Sequence, residues 1–487
     1  MKKNVLIIMT DQQRKDSLGC YGNAYAQTPF LDGLAREAVR FNRAYVANPI
    51  CMPNRHCLFS GRYPHNHGVY TNGLLLRDNG CNILHHLSNR GWQTANIGKI
   101  HFTPTDGGGG KEAAASWSDE NADYSWHGPY WGFQYVELTV GHSRQKGHYR
   151  EWFLQNGGND HMYEGCSKSG DTGCVTMPLP EKLHSSSFVG DRTCEWLLRK
   201  RDPSRPFFLV ASFPDPHFPF DPPAESVERF GKEEPPMPAG SGEDLETRPG
   251  HYRKHFRGEW HRSGQKPANT TPEGVSREYA LERIRNTHAM VSLIDRNVGK
   301  ILNTLRNLEL EEETIVIFTS DHGELLGDHG LWYKGPFYYE GLVNVPLLIR
   351  VPGVRARVDE GLFSAVDMAP TLCRLLGVEI PDYVDGVSQA QHLNDSRIKA
   401  RDWCMVEYRN GFGKRDRASR AVITERYKYV RYQNGERELT DLMADPAELC
   451  NVAELLENVS VCRRLDEKML EAVLNTENQY PQQVSFA

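Results

Sequence analysis

Several short runs in this chain stop abruptly at polar residues. Residues 5–9 (VLIIM) give way to Thr10-Asp11-Gln12, and 94–97 (TANI) to Gly98-Lys99-Ile100-His101. Residues 207–213 (FFLVASF) end at Pro214-Asp215-Pro216-His217, and 314–318 (TIVIF) at Thr319-Ser320-Asp321-His322. Such runs are too short for helices and read as strands buried on both faces. That is the pattern of a parallel sheet, whose ligands gather at the carboxyl ends of its strands. Residues 345–351 (VPLLIRV) read as one more strand. Residues 29–41 pattern as a helix, and Met290, Leu293, Ile294, Val298, Ile301, Leu302 and Leu305 keep helical spacing across a longer one. Residues 104–190, rich in Gly, Ser, Trp and His, and 222–275, rich in Pro, Gly and charge, read as irregular insertions shaping a pocket. Past Gly386 the texture changes. Residues 421–423, 427–432 and 437–440 read as short antiparallel strands, followed by an acidic turn at 441–448 and a helix near 461–475. The expected fold is α/β: a large, mostly parallel sheet flanked by helices in residues 1–385, with a small α+β subdomain in 386–487.

Composition narrows the class. With 487 residues, 39% hydrophobic, 25% charged and a net charge of −6, the chain reads as a soluble globular protein with a sizeable core. The charge is small and not gathered in long runs, which argues against nucleic-acid or membrane-surface partners. The opening MKKNVLIIMTDQQ imitates a signal peptide, but its apolar run is too short and Asp11 closes it, so it reads as a buried strand. The expected compartment is the cytoplasm, or the periplasm or exterior if a leader has been removed. Eleven scattered cysteines suit a reducing compartment better than a disulfide framework, although Cys166 and Cys174 flank a Gly/Ser-rich loop and are candidates to pair. The chain carries no signal for oligomeric state.

The chemistry centres on residues 48–68, NPICMPNRHCLFSGRYPHNHG. Cys51 stands between Pro49 and Pro53, with Arg55 one turn ahead and His56, His65, His67 and His101 expected around it. Taken singly, the polar strand ends have ordinary roles as turns, caps and solvated charges. Together, converging at one sheet edge, Asp11, Gln12, Asp321 and His322 form a mostly hard donor set for a cation. Arg55, Lys99 and Lys334 add positive charge beside it, which suits an anionic tetrahedral group, sulfate or phosphate.

Cys51-Met52-Pro53-Asn54-Arg55, followed by Ser60-Gly61-Arg62-Tyr63-Pro64, resembles the C-x-P-x-R signature of type I sulfatases in the alkaline phosphatase superfamily. So do Gly98-Lys99-x-His101, Pro216-His217-x-Pro219, Thr319 to Glu324, and the tail Leu442…Asp445-Pro446-x-Glu448-x-x-Asn451. The resemblance implies a sulfuric ester hydrolase whose motif cysteine becomes formylglycine through a transient formylglycine-generating enzyme. The hydrated aldehyde carries one hydroxyl to attack sulfur and a second to expel sulfate. It implies Asp11, Gln12, Asp321, His322 and modified Cys51 as ligands of one divalent metal, Ca²⁺ first, with Mn²⁺ or Zn²⁺ as alternatives because of the histidine. Arg55 would stabilise the deprotonated hydrate, while Lys99 and Lys334 would hold sulfate oxygens. His217 would protonate the leaving alcohol, and His101 would take a proton during sulfate release. Asn72 lies where such enzymes contact the transferred group.

Asp-Gln at the first strand end and Asp-His at the last depart from the Asp-Asp and Asp-Asn of most animal sulfatases. They resemble bacterial choline-sulfatase-like and phosphonate monoester hydrolase-like members. The stretches YWGFQYVELTVGH and GHYREWFLQNGG are also similar to the phosphonate hydrolase branch, which has tyrosine and threonine where this chain keeps Lys99 and His101. Those two residues favour a sulfate monoester over a phosphonate or phosphate diester. The expected substrate is a small-molecule or oligosaccharide sulfate ester, a sulfated carbohydrate such as a glycosaminoglycan unit first and choline sulfate second. Trp126, Tyr130, Trp131 and His142 are candidates to stack on its leaving group. A non-catalytic anion binder with unmodified Cys51 is the reading from another class.

Overall fold

A computed structural model describes residues 2–477 apart from 108–109, 119, 142–144, 165–174, 241, 258, 260–276 and 410–417. His142, Cys166 and Cys174 lie outside the described residues. Twelve strands are described: β1 (Asn4–Thr10), β2 (Val39–Tyr45), β3 (Gln93–Gly98), β4 (Tyr135–Leu138), β5 (Phe207–Ser212), β6 (Thr314–Ser320), β7 (Leu347–Arg350), β8 (Arg357–Ser364), β9 (Cys404–Tyr408), β10 (Ser419–Ile423), β11 (Tyr427–Tyr432) and β12 (Arg437–Asp441). The first eight form one sheet in the order β4-β3-β5-β1-β6-β7-β2-β8; the last four form a second in the order β12-β11-β10-β9. In the large sheet β7 runs antiparallel to both neighbours and the other pairings are parallel. The small sheet is antiparallel throughout. The expected fold class is therefore the observed one.

Strand periodicity explains the burial of β1 on both sides. Val5, Ile7 and Met9 join one apolar layer with Phe208, Val210, Ile315 and Ile317. Leu6 and Ile8 face the other, against Val291, Ile294, Val298 and Ile301 of the helix Arg277–Asn307. Each such side chain removed from water contributes about 1.5–3 kcal/mol, so the central strands contribute strongly to the stability of the sheet.

Three expectations are corrected. The helix expected over 29–41 stops at Glu37, and residues 39–45 form β2 instead. Leu31, Leu34, Ala38 and Phe41 keep helical spacing past that end, which hid the buried/half-buried alternation of Val39, Arg40 and Phe41. The insertion 104–190 is not wholly irregular: it supplies edge strand β4 and the helices His148–Gln155 and Ser185–Glu195. Strand β7 is shorter than its apolar run and antiparallel.

The small sheet is covered on both faces. Cys404, Val406, Ala421, Ile423 and Val430 pack with Tyr45, Val46, Leu342 and Val343, and Val422, Tyr429 and Leu439 pack against Cys462, Leu465 and Met469 of the helix Val459–Asn475. Among the described residues no helix is long and apolar enough to cross a membrane.

A buried charge cluster fastens β11 to the segment before β7. Lys428 Nζ lies 2.9 Å from Glu340 Oε1 and 2.5 Å from Glu448 Oε1, and Lys428 and Glu448 are buried. Replacing the lysine leaves carboxylates there without their cation. Lys428→Met is expected to cost about 3–5 kcal/mol and lower the melting temperature by several degrees; an unchanged melting curve would show the cluster to be structurally idle.

Candidate active site

Strands β3, β5, β1 and β6 are consecutive and parallel, so their carboxyl ends share one edge. Lys99 and His101 follow β3, His217 follows β5, Asp11 and Gln12 follow β1, and Asp321 and His322 follow β6. Backbone hydrogen bonds stitch these ends together: Asp321 N donates to Thr10 O (3.1 Å), Asp11 N to Asp215 O (3.2 Å) and Lys99 N to Ser212 O (2.9 Å). The motif glycines permit that closeness. Gly98 has φ +107°, and a Cβ on it would lie 1.9 Å from Ser212 O; a Cβ on Gly323 would lie 1.9 Å from Gly341 O.

Cys51 opens the helix Cys51–Ser60 and is buried. Asn54 Nδ2 donates to Asp321 O (2.5 Å), while its Oδ1 accepts from Ala47 N (2.8 Å). Arg55 Nε donates to Asp321 Oδ2 (2.6 Å) and Nη1 to Lys99 O (3.1 Å) and Ser212 Oγ (3.0 Å). Arg55 Nη2 is buried without a hydrogen-bond partner among the described residues. Asn72 Oδ1 accepts from Met52 N (3.1 Å) and its Nδ2 stands 3.6 Å from Cys51 Sγ. The helix start is thus pinned to the ends of three strands, and an amide faces the sulfur.

Lys334 Nζ sits inside the cluster rather than on its rim. It is 2.9 Å from Gln12 Oε1, 3.1 Å from Cys51 Sγ, 2.9 Å from His217 Nε2 and 3.1 Å from His322 Nε2. Lys99 Nζ pairs with Asp11 Oδ2. Burial alone would raise the Cys51 thiol, but Lys334 and Lys99 together with hydrogen bonds from His101 and His217 hold it well below the ordinary thiol range. Burial, reinforced by Lys334, lowers His217 to about 4. His217 Nδ1–H donates to Phe218 O (2.5 Å) and His322 Nδ1–H to Gly323 O (2.8 Å). Both rings therefore turn Nε2 inward, toward Lys334 Nζ.

Asp11, Cys51, Asp321 and His322 each bring a ligand atom into a group whose members lie within 4.8 Å of one another. His322 Nε2 is 3.6 Å from Asp11 Oδ1 and 3.7 Å from Asp321 Oδ1. The ammonium of Lys334, held by Gln12 Oε1, Cys51 Sγ and His322 Nε2, shows that these donors cradle a positive charge. Two carboxylates, an amide oxygen and an imidazole nitrogen fit a divalent ion.

The histidines expected around Cys51 divide. His101 reaches the sulfur, whereas His56 Nε2 bonds Phe102 O (3.0 Å), His65 Nδ1 bonds Glu407 (2.8 Å) and His67 Nε2 lies 3.3 Å from Cys57 Sγ. Helical geometry turns residues 56 and 57 away from residue 51, which linear proximity concealed. The aromatic candidates pack the insertion. Trp131 is buried against His56 and Phe102, Tyr130 OH bonds Glu112 Oε1 (3.0 Å), and Trp126 lies edge-on to Tyr130 under Lys111.

Two carboxylates went unnoticed in the sequence. Glu324 accepts from Gln12 Nε2, Leu326 N (3.1 Å) and Tyr333 N, so it turns the Gln12 carbonyl inward and anchors the loop carrying Lys334. Glu112 accepts from the backbone N–H groups of His101, Phe102 (2.9 Å) and Thr103 (3.0 Å), and so holds His101 at φ 58°. Glu324 closes the Thr319–Glu324 motif, a signal available in the sequence; Glu112 has none.

Glu324 acts on the cation donors through Gln12. Glu324→Ala is therefore expected to weaken divalent-ion binding about 10–100-fold, read by titrating Ca²⁺ or Mn²⁺ into chelator-treated protein. Equal affinity in the variant would remove Glu324 from the site.

The sulfatase family profile matches residues 3–378, and a second profile, N-sulphoglucosamine sulphohydrolase, C-terminal, matches 327–475. The chain is 30% identical to an arylsulfatase of Clostridium perfringens, with 97% of this chain and 95% of that one aligned. It is 23% identical to an N-acetylglucosamine-6-O-sulfatase of Bacteroides thetaiotaomicron, over 98% of this chain and 87% of that one. The crystal structure of the phosphonate monoester hydrolase of Agrobacterium radiobacter superposes with a TM-score of 0.82 at 26% identity, over 99% of this chain and 97% of that one. A profile spanning the whole large sheet, and an arylsulfatase aligned nearly end to end, place this chain in the sulfatase family of alkaline-phosphatase-like hydrolases.

Proposed function

We propose that this enzyme hydrolyses sulfate monoesters of carbohydrates, with residue 51 as nucleophile after its thiol is converted to formylglycine. The observation that carries the reading is the surroundings of Cys51 Sγ: Lys334 Nζ at 3.1 Å, Asn72 Nδ2 at 3.6 Å, and the Asp11–Asp321–His322 cluster alongside. The carbohydrate assignment is supported by the N-acetylglucosamine-6-O-sulfatase relative and the N-sulphoglucosamine sulphohydrolase profile.

Asp11, Gln12, Asp321 and His322, together with modified residue 51, would hold one divalent ion, Ca²⁺ by its oxygen donors. The ion supplies Lewis-acid polarisation and a lowered hydroxyl pKa. The chain's own groups do the rest. Arg55, fixed by Asp321, stabilises negative charge developing on the aldehyde hydrate. One hydrate hydroxyl gives up its proton to solvent and its oxygen attacks sulfur while the S–O bond to the sugar breaks, and Lys99 and Lys334 bind the sulfate oxygens as their charge grows. The leaving oxygen takes a proton from the Lys334–His217 pair, whose shared hydrogen bond spans 2.9 Å. His101 then accepts the proton of the second hydroxyl, the C=O bond re-forms, and the C–O bond to sulfate breaks.

Phosphonate monoester or phosphodiester hydrolysis is the second reading, supported by the solved phosphonate monoester hydrolase. The retained Lys99 and His101 favour sulfate. Mass spectrometry of the residue-51 peptide from the native host is expected to show formylglycine, lighter than cysteine; an intact cysteine there would point to an anion binder. The converted enzyme is expected to have a higher kcat/KM for a sulfate monoester than for a phosphonate ester, and the reverse order would overturn the assignment of Lys99 and His101. His217→Ala is expected to lower kcat/KM about 10²–10⁴-fold for alkyl or sugar sulfates and far less for nitrophenyl sulfate, whose leaving group needs no proton. Equal losses would exclude a leaving-group role.

A further inference from the structure

A cleft of about 530 Å³ opens between the loops beside the nucleophile and the small sheet. One wall is made by Asn48, three residues before Cys51, and Tyr70, two before Asn72; Asn48 Nδ2 donates to Tyr70 O (3.5 Å) and Asn48 Oδ1 accepts from Ile50 N (2.9 Å). Asn48 and Tyr70 thus lie on the same two loops as Cys51 and Asn72, which face one another at the sulfur. The opposite wall carries Arg409, Arg420 and Arg431 from β9, β10 and β11 and their flanks.

The charge in the cleft is unbalanced. Glu407 is the carboxylate of its lining, and it is already matched by Arg420 Nε at 2.5 Å and His65 Nδ1 at 2.8 Å. Arg409 spreads its guanidinium over Tyr70, 4.8 Å from the ring centroid, and Arg431 Nη1 donates to Gly435 O at 3.4 Å. Both arginines are exposed, and among the described residues no carboxylate pairs with either. A guanidinium laid on an aromatic face keeps its N–H edge for a coplanar oxyanion. Nothing in the reaction at residue 51 uses these two cations.

We propose that this cleft binds a second anionic group of the substrate, a carboxylate or further sulfate on the sugar next to the one bearing the scissile ester, through Arg409 and Arg431. The proposal rests on the sulfate-ester reading above and narrows its substrate class to polyanionic oligosaccharides. Small uncharged alcohols would leave the cleft unused.

The test uses a sulfated hexosamine linked to a hexuronate, the methyl ester of the same disaccharide, and a disulfated analogue of that ester. For converted enzyme, kcat/KM is expected to be at least about tenfold higher for the free acid or the disulfated analogue than for the monosulfated ester; whichever responds identifies the second group. In Arg409→Ala/Arg431→Ala the preference falls below about threefold, whereas Arg409→Lys/Arg431→Lys keeps part of it because the charge remains. Equal rates for all three compounds, or a preference intact in the double alanine variant, would overturn the proposal. Calorimetric binding of the same compounds to unconverted protein, which needs no turnover, separates the two readings. Failure to hydrolyse any sulfate ester sinks the catalytic assignment. An affinity difference lost with Arg409 and Arg431 still upholds the cleft, and no difference removes it.

Discussion

The parallel pairing of β1 with β6 is the constraint on which the rest depends. Its register sets Met9 opposite Thr319 and Thr10 opposite Ser320, so Asp11 and Asp321 emerge side by side. A slip of one residue would turn every side chain of β1 to the opposite layer and carry Asp11 away from its partner. Both layers are closely packed, which makes the register costly to change. Asp321 then acts as the hub. Its carboxylate accepts from Gln12 N (3.1 Å) and Arg55 Nε (2.6 Å), and its carbonyl from Asn54 Nδ2 (2.5 Å). One residue thereby positions the first strand end and the Cys51 helix at once.

Such a site is expensive for the fold. Asp11, Asp321, Arg55 and Lys99 are all buried, and desolvating each charge costs several kcal/mol unless partners compensate. They compensate in pairs, Lys99 with Asp11 and Arg55 with Asp321. Lys334 is the third cation of the set, on a long side chain rooted in the loop that Glu324 anchors at Leu326 and Tyr333. The excess positive charge is what depresses the Cys51 thiol against the effect of burial. The same field would favour an oxyanion on residue 51 and a tetrahedral anion beside it.

Much of this was legible in the chain. Apolar runs ending in Asp-Gln, Gly-Lys-x-His, Pro-His and Asp-His announced a parallel sheet and named the residues at its edge, because central strands have no polar face to blur the pattern. Strands β2 and β8 were missed for the opposite reason: their half-exposed positions mix polar and apolar residues. Strand β9 is buried at four of its five positions and is too short to stand out. The supporting carboxylates were harder to see. Glu112 acts only through backbone groups at 101–103, a role that leaves no spacing rule behind. His56, His65 and His67 misled because nearness in sequence says little about direction once a helix begins at Cys51. Arg409 and Arg431 share a cleft with Tyr70 through the packing of the second sheet.

The central claim is that the ends of β1 and β6 hold one divalent ion beside residue 51. Anomalous diffraction from crystals grown with Mn²⁺ tests it most directly. The account predicts a single strong peak bonded by Asp11, Gln12, Asp321 and His322 at roughly 2.1–2.4 Å, adjacent to the side chain of residue 51. A map with no peak there, or with a peak bonded from one strand end and not the other, would contradict it.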